Sequence, residues 1–240
     1  PFWGVRKEAV NAFAKLKSKK YAEDLMSMAK GQDNRVRRAI WNALKNYKND
    51  ELVSTFLQDV ISTDEKYYSV ADAFKALVIV DTAAARQKVD ALLDTDSHTD
   101  VIRKSAITYF GSVVTDKNYD RLKELVNYGG TTWDARSEAV KQLGEYVKSK
   151  PKTVDLFVDM LKDNDRSVRR NAVRALNKHG NRTHIGALDE LLALDPIISR
   201  DVRSAKKNIF NPPKKPKKNG PEKELEDANK KLGEIRKLIK

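Results

Sequence analysis

Side chains suited to catalysis are few in this sequence. It has three histidines, His98, His179 and His184, and no two of them are four residues apart, the spacing that holds zinc on one face of a helix. It has no cysteine, no H-E-x-x-H, no glycine-rich phosphate loop and no G-x-S-x-G. We therefore predict no catalytic, cofactor or metal site within these 240 residues.

Basic side chains recur instead. Arginine returns at multiples of about 33 residues, at Arg6, Arg37, Arg103, Arg136, Arg169 and Arg203. A row of guanidinium groups could bind an acidic ligand, because each group forms paired hydrogen bonds with carboxylate or phosphate. The alternative is an internal ladder that ties each repeat to its neighbour. We favour the ladder, because aspartates accompany five of the six arginines, at Asp33, Asp100, Asp134, Asp165 and Asp201.

The arginines belong to a longer repeated frame. From Val168 onward, apolar residues fall at offsets 0, 4, 5, 7 and 8, which is one stripe of an α-helix. Asp165 precedes the stripe, where a short acceptor can cap a helix. Seven copies of the frame begin at Val5, Val36, Ser69, Ile102, Ala135, Val168 and Val202. In the last copy Lys206 and Lys207 replace apolar residues, as expected of a terminal unit.

Each frame is followed by a second apolar stretch, which we pair with the frame before it. Two helices per step of about 33 residues, each burying one stripe, must stack on neighbouring pairs to cover their apolar faces. The Val-Arg-x-x-Ala phrase resembles the second helix of short HEAT repeats. We predict an all-α fold, an α-solenoid of about seven short HEAT-like repeats over residues 1–210.

The composition changes after Phe210. Residues 211–220 contain three prolines and four lysines, so we predict an extended Pro/Lys-rich linker. Residues 221–240 have apolar residues at a and d spacing for under three heptads, which predicts an amphipathic C-terminal helix. We expect this helix to need a surface on which to lie.

The net charge of +13 is diluted along the chain. Residues 211–240 carry ten Lys/Arg and five Asp/Glu, which leaves +8 for residues 1–210. Proteins that bind nucleic acid concentrate basic residues on one face, so this dilution disfavours that function.

One cluster, Trp133-Asp134-x-Arg136, resembles the Trp, Asp and Arg with which HEAT-like DNA glycosylases hold an alkylated base. Asp134 also occupies a cap position, and Arg136 occupies the recurring arginine position. We therefore predict core and cap roles for the cluster, and likewise a packed position for Trp3 and Trp41. A free-standing basic HEAT-repeat protein that binds nucleic acid remains the alternative function.

The opening Phe2-Trp3-Gly4-Val5-Arg6 resembles the start of the C-terminal helical region of prokaryotic aminopeptidase N-like zinc metallopeptidases. Later phrases, Asp33-x-x-Val36-Arg37 and Tyr68-Ser69-Val70-Ala71, are similar to the repeats that follow in that region. The resemblance implies a parent enzyme whose zinc and catalytic residues lie in another domain, and no catalytic residue can be carried over to this chain. Since the chain opens with Pro1 and a repeat begins at once, we expect it to be a piece of a longer protein.

On this resemblance, the chain is predicted to be a non-catalytic domain that covers the catalytic domain and shapes peptide access. Its partners would be that domain and the peptide substrate, and a general protein-interaction scaffold is a further alternative. The predicted contacts on the concave face are Arg38, Lys45, Lys104, Arg170, Arg174 and Lys178. No apolar run reaches the roughly 20 residues that span a bilayer, so no membrane is expected as a partner. The absence of cysteine favours the cytoplasm.

Overall fold

The computed structural model describes residues 2–16 and 21–212. Over these ranges the chain is all-α, with thirteen α-helices, short 3-10 turns and no strand. The predicted fold class, an α-solenoid, is therefore confirmed. The predicted linker lies outside the described residues after Pro212, and the predicted helix over 221–240 lies wholly outside them.

The helices alternate between two sets. The frame helices carry the repeated pattern and are α1 (Trp3–Leu16), α3 (Asn34–Leu44), α5 (Tyr67–Val80), α7 (Val101–Ser112), α9 (Trp133–Leu143), α11 (Arg166–His179) and α13 (Ser199–Phe210). The helices between them, called outer helices below, are α2 (Ala22–Met28), α4 (Glu51–Thr63), α6 (Thr82–Leu93), α8 (Asp116–Val126), α10 (Thr153–Met160) and α12 (Ile185–Leu194).

The two sets form two layers. Each frame helix packs on the next frame helix, from α1 through α13, whereas the outer helices contact one another much less. Clefts of about 580, 550 and 390 Å³ separate α8 from α10, α6 from α8, and α2 from α4. Because the outer layer opens into clefts while the frame layer stays closed, the frame helices line the concave side of the solenoid.

The pairing of helices differs from the prediction. Each outer helix packs mainly on the frame helix that follows it, as α4 does on α5 and α8 does on α9, and not on the frame helix before it. The period could not reveal this, since a spacing of about 33 residues is the same whichever neighbour an outer helix covers. The packing unit is therefore an outer helix followed by a frame helix.

The repeated pattern determines the buried core. The alanines at offset 4, Ala73, Ala106, Ala139 and Ala172, are fully buried. Trp41 is also buried, as predicted, and its indole N–H donates to the Ser69 hydroxyl at 2.8 Å, which joins α3 to α5. Asp165 caps α11 by accepting from the backbone N–H groups of Ser167 and Val168, which confirms the predicted helix start.

The last frame helix is packed differently from the others. In α13 the buried residues are Val202 and Ala205, while Lys206 reaches Asp189 on α12. This agrees with the expectation that a terminal unit has fewer neighbours to cover its pattern. No helix among the described residues has the length and apolarity required to cross a bilayer.

Candidate protein interface

The six predicted contact residues lie on, or directly after, the frame helices α3, α7 and α11. Three of them, Arg38, Lys104 and Arg170, share offset 2 of the frame, and each reaches an acid of the next frame helix. Arg38 pairs with Asp72 at 2.5 Å, Lys104 with Asp134 at 2.7 Å and Arg170 with Asp201 at 3.2 Å. These cations bridge neighbouring repeats, so part of their charge is already neutralised.

Arg174 and Lys178 are the freest of the six. Their side chains are 60% and 64% exposed, and their ion pairs are long, 3.7 Å to Asp201 and 3.5 Å to Glu145. Both line a cleft of about 350 Å³ between α9 and α11, together with Lys141, Gly144, Glu145, Asn171, Ala175 and His179. The most accessible positive charge on the predicted face is therefore found at this cleft.

His179 contributes hydrogen-bonding capacity to the cleft. Its Nε2 is buried and has no hydrogen-bond partner among the described residues. Burial lowers the pKa of His179, the charge of Lys178 lowers it further, and Glu145 opposes the shift. The imidazole is therefore neutral near pH 7, and the charge of the cleft comes from its lysines and arginine.

Lys45 follows α3 and is the least available of the six. Its Nζ donates to the Asn42 side chain at 3.0 Å. Burial lowers the pKa of the Lys45 ammonium, nearby Asp72 raises it, and Lys75 lowers it again. A ligand carboxylate would have to compete with this partly desolvated setting.

The two layers differ strongly in charge. The seven frame helices carry 20 Lys/Arg and five Asp/Glu, whereas the six outer helices carry five Lys/Arg and twelve Asp/Glu. The excess positive charge is therefore confined to the frame layer. Counting charges over the whole chain hid this segregation, and counting them helix by helix would have found it.

The recurring arginines form the predicted ladder, but with other aspartates. Arg37, Arg136 and Arg169 pair with Asp64, Asp163 and Asp195, which lie in the loop before the next frame helix. Only Arg103 uses one of the predicted partners, Asp100. The others serve elsewhere, since Asp33 and Asp165 cap helices and Asp134 and Asp201 pair with the offset-2 cations.

Comparison with protein-family models identifies the repeats. A model of HEAT repeats matches residues 1–77 and 120–206, which is more than half of the chain. The chain belongs to the HEAT repeat family. A search of curated proteins found no significant match. The segment between the two matched regions has the same architecture, because α6, α7 and the start of α8 continue the two layers.

An aromatic edge borders the HEAT frame layer, and the sequence prediction missed it. Trp3, Tyr67 and Trp133 occupy offset −2, at the start of their frame helices. Arg35 lies over the Trp3 ring at 3.7 Å, and Arg38 lies 5.2 Å from the Tyr68 ring. Aromatic and arginine side chains together are typical of protein interfaces.

The predicted roles in the Trp133 cluster need correction. Trp133 is 60% exposed and does not lie in the core, because offset −2 precedes the buried stripe. The cap of α9 is Thr132, whereas Asp134 pairs with Lys104. Arg136 is buried against Asp163 and the Val126 carbonyl. With Asp134 and Arg136 engaged in packing contacts, the cluster offers no pocket for a flipped base.

The histidines occupy separate sites. His184 accepts the backbone N–H of Asn181 through Nδ1 at 3.0 Å and closes a capping box before α12. Across residues 2–16 and 21–212, no group of three or more His, Cys, Asp or Glu side chains is placed to hold a metal ion.

Proposed function

We propose that this HEAT-repeat chain is an interaction scaffold whose concave frame layer binds an acidic segment of a protein partner. The charge segregation between the layers carries this proposal. A basic concave face lined by low-dielectric helices attracts acidic ligands and raises their association rate. Arg174 and Lys178 are the contacts expected to matter most, because they are the most exposed of the predicted set.

A protein ligand fits the concave face better than nucleic acid does. The offset-2 cations are shared with Asp72, Asp134 and Asp201, and Glu138 and Glu145 also lie on frame helices or directly after them. These acids would repel a phosphate backbone along its length, whereas a folded or extended protein segment can alternate charges to match them. The aromatic edge adds the side chains that carry most of the binding energy in protein interfaces.

The test compares two double variants that remove the same charge. Arg174→Gln/Lys178→Gln changes the frame layer, and Arg86→Gln/Lys117→Gln changes exposed residues of the outer layer. The probe is a labelled Glu-rich peptide, followed by fluorescence anisotropy. We expect the first variant to weaken binding on the order of tenfold and the second by less than about twofold.

Two results would contradict the proposal. Equal weakening by the two variants would mean that only net charge matters. Tighter binding of a DNA duplex of the same charge, with a steep loss as salt rises, would support the nucleic-acid alternative instead. Circular dichroism of each variant would verify that the helices are intact.

We further propose that the scaffold is the C-terminal region of a zinc aminopeptidase, in which the basic face shapes peptide access. The opening Phe2-Trp3-Gly4-Val5-Arg6 and the repeats that follow it support this proposal. Zinc would belong to the catalytic domain of that parent. An in-frame H-E-x-x-H encoded several hundred codons upstream is the expected finding, and an upstream reading frame without it would contradict the parent enzyme.

A further inference from the structure

The first frame helix has an open apolar stripe. Val5 stands at offset 0 and is 62% exposed, whereas Val36, Val168 and Val202 at the same offset are fully buried. Phe2, Ala9 and Ala12 are exposed as well, and with Val5 they follow an i, i+3, i+7, i+10 pattern on one face of α1. The opposite face of α1 packs on α3, through buried Val10 among others.

The later repeats indicate what covers such a stripe. In α3, α5, α7, α9, α11 and α13, the outer helix just upstream packs on the frame helix. The outer helix α2 packs mainly on α3, so α1 is the one described frame helix without an outer helix in this position. The stripe of α1 therefore has the shape and composition of a surface that accepts an amphipathic helix.

Arg6 provides an independent observation. In the ladder, Arg103 Nε donates to the Leu93 carbonyl at 2.7 Å and Arg136 Nε donates to the Val126 carbonyl at 3.1 Å. Both acceptors are the last residue of the upstream outer helix. Arg6 occupies the same frame offset, and its Nε is buried without a hydrogen-bond partner among the described residues. A buried unpaired donor is costly, and a helix C-terminus would satisfy this one.

We propose that the open stripe of α1 docks an amphipathic helix of a partner protein, seated as an outer helix is and ending at Arg6. The existing outer helices define its chemistry. Four of them, α2, α4, α10 and α12, each carry two acids and no Lys/Arg. The docked helix is therefore expected to present an apolar stripe to α1 and acidic residues outward. This proposal does not depend on the binding of an acidic segment to the concave face.

A constrained helical peptide with the sequence of residues 50–64 serves as the probe, because it contains α4 with its own cap. Titrated against the full chain, it should bind saturably, and a scrambled peptide should not. Val5→Asp should weaken binding by at least about tenfold and Arg6→Gln by several fold. The matched control is Ile197→Asp, which changes another exposed aliphatic residue and should alter binding by less than about twofold. Since Val5 is exposed, its variant should keep the wild-type melting temperature within a few degrees.

Other outcomes would overturn the proposal. Absence of saturable binding, or equal effects of Val5→Asp and Ile197→Asp, would show that the stripe is not a helix-docking site. A dimer in sedimentation experiments that Val5→Asp dissociates would make a second copy the occupant. Binding that appears only after removal of residues 213–240 would make the chain's own C-terminal segment the occupant.

Discussion

Arg136 donates hydrogen bonds through both terminal nitrogens to Asp163, which lies 27 residues later in the loop before the next frame helix. Its Nε donates to the Val126 carbonyl at 3.1 Å, so one buried guanidinium joins α9 to the outer helices on either side of it. Arg37 and Asp64 repeat the pairing two units upstream, as do Arg169 and Asp195 one unit downstream. The arginine row therefore fixes the stacking of repeats.

Removing the Arg136 side chain should destabilise the protein strongly. Arg136→Ala leaves the Asp163 carboxylate and the Val126 carbonyl without their donor, and we expect a loss of about 3 kcal/mol in the free energy of unfolding. The control, Arg121→Ala, breaks an exposed pair with Glu124 and should cost less than about 1 kcal/mol. Urea unfolding followed by circular dichroism measures both. Similar losses in the two variants would contradict the ladder's structural role.

The ladder should also make stability depend on pH. The hydrogen bond from Arg169 lowers the pKa of Asp195, burial opposes the shift, and Arg166 lowers the pKa again. A depressed carboxyl pKa stabilises the fold above the unfolded value of about 4 and is lost as pH falls through the folded pKa. Asp195→Asn should therefore lower the urea midpoint at pH 7, and its difference from wild type should narrow below about pH 4.

The control for this pH dependence is Asp155→Asn, which changes an exposed carboxylate on α10. Its urea midpoint should follow the wild-type curve at each pH. A constant gap between Asp195→Asn and wild type from pH 7 to pH 3 would show that the Asp195 charge does not contribute.

Gly144 should tolerate a methyl group and gain stability from it. Its backbone is helical, with φ −58° and ψ −26°, and an added Cβ would lie 3.7 Å from His179 Nε2, an ordinary contact. Gly144→Ala should raise the free energy of unfolding by roughly 0.4–1 kcal/mol, since alanine restricts the unfolded chain. At Gly180 an added Cβ would meet the Leu176 carbonyl oxygen at 2.5 Å, so Gly180→Ala should lower the melting temperature. Opposite signs in calorimetry are the expected result.

Periodicity predicted the frame helices well because burial is strictly periodic in them. The stripe from Val168 lies on α11, and Asp165 caps that helix. The ladder partners were predictable only in kind. Asp163 and Asp195 lie 26 or 27 residues from their arginines, and nothing in the local spacing distinguishes them from aspartates that cap helices. Which of two acids closes a contact is decided by how the repeats stack.

The candidate interface was predicted in part for a related reason. Arg174 and Lys178 lie on the polar side of a clear helical stripe, so their exposure followed from the pattern. The pairing of Arg38 with Asp72 and of Lys104 with Asp134 did not, because each pair joins neighbouring frame helices. Trp133 was misplaced because its size suggested the core, although it precedes the first buried offset.

The two tryptophans provide the sharpest test of this distinction between core and edge. Trp41 is fully buried between α3 and α5 and donates to Ser69, so Trp41→Ala should cost about 3–5 kcal/mol through the cavity it leaves. Trp133 is mostly exposed, so Trp133→Ala should change the free energy of unfolding by less than about 1 kcal/mol. Urea unfolding of both variants, followed by circular dichroism at a helical wavelength, measures the contrast. A large loss for Trp133→Ala would return that residue to the core and remove the aromatic edge from the proposed interface.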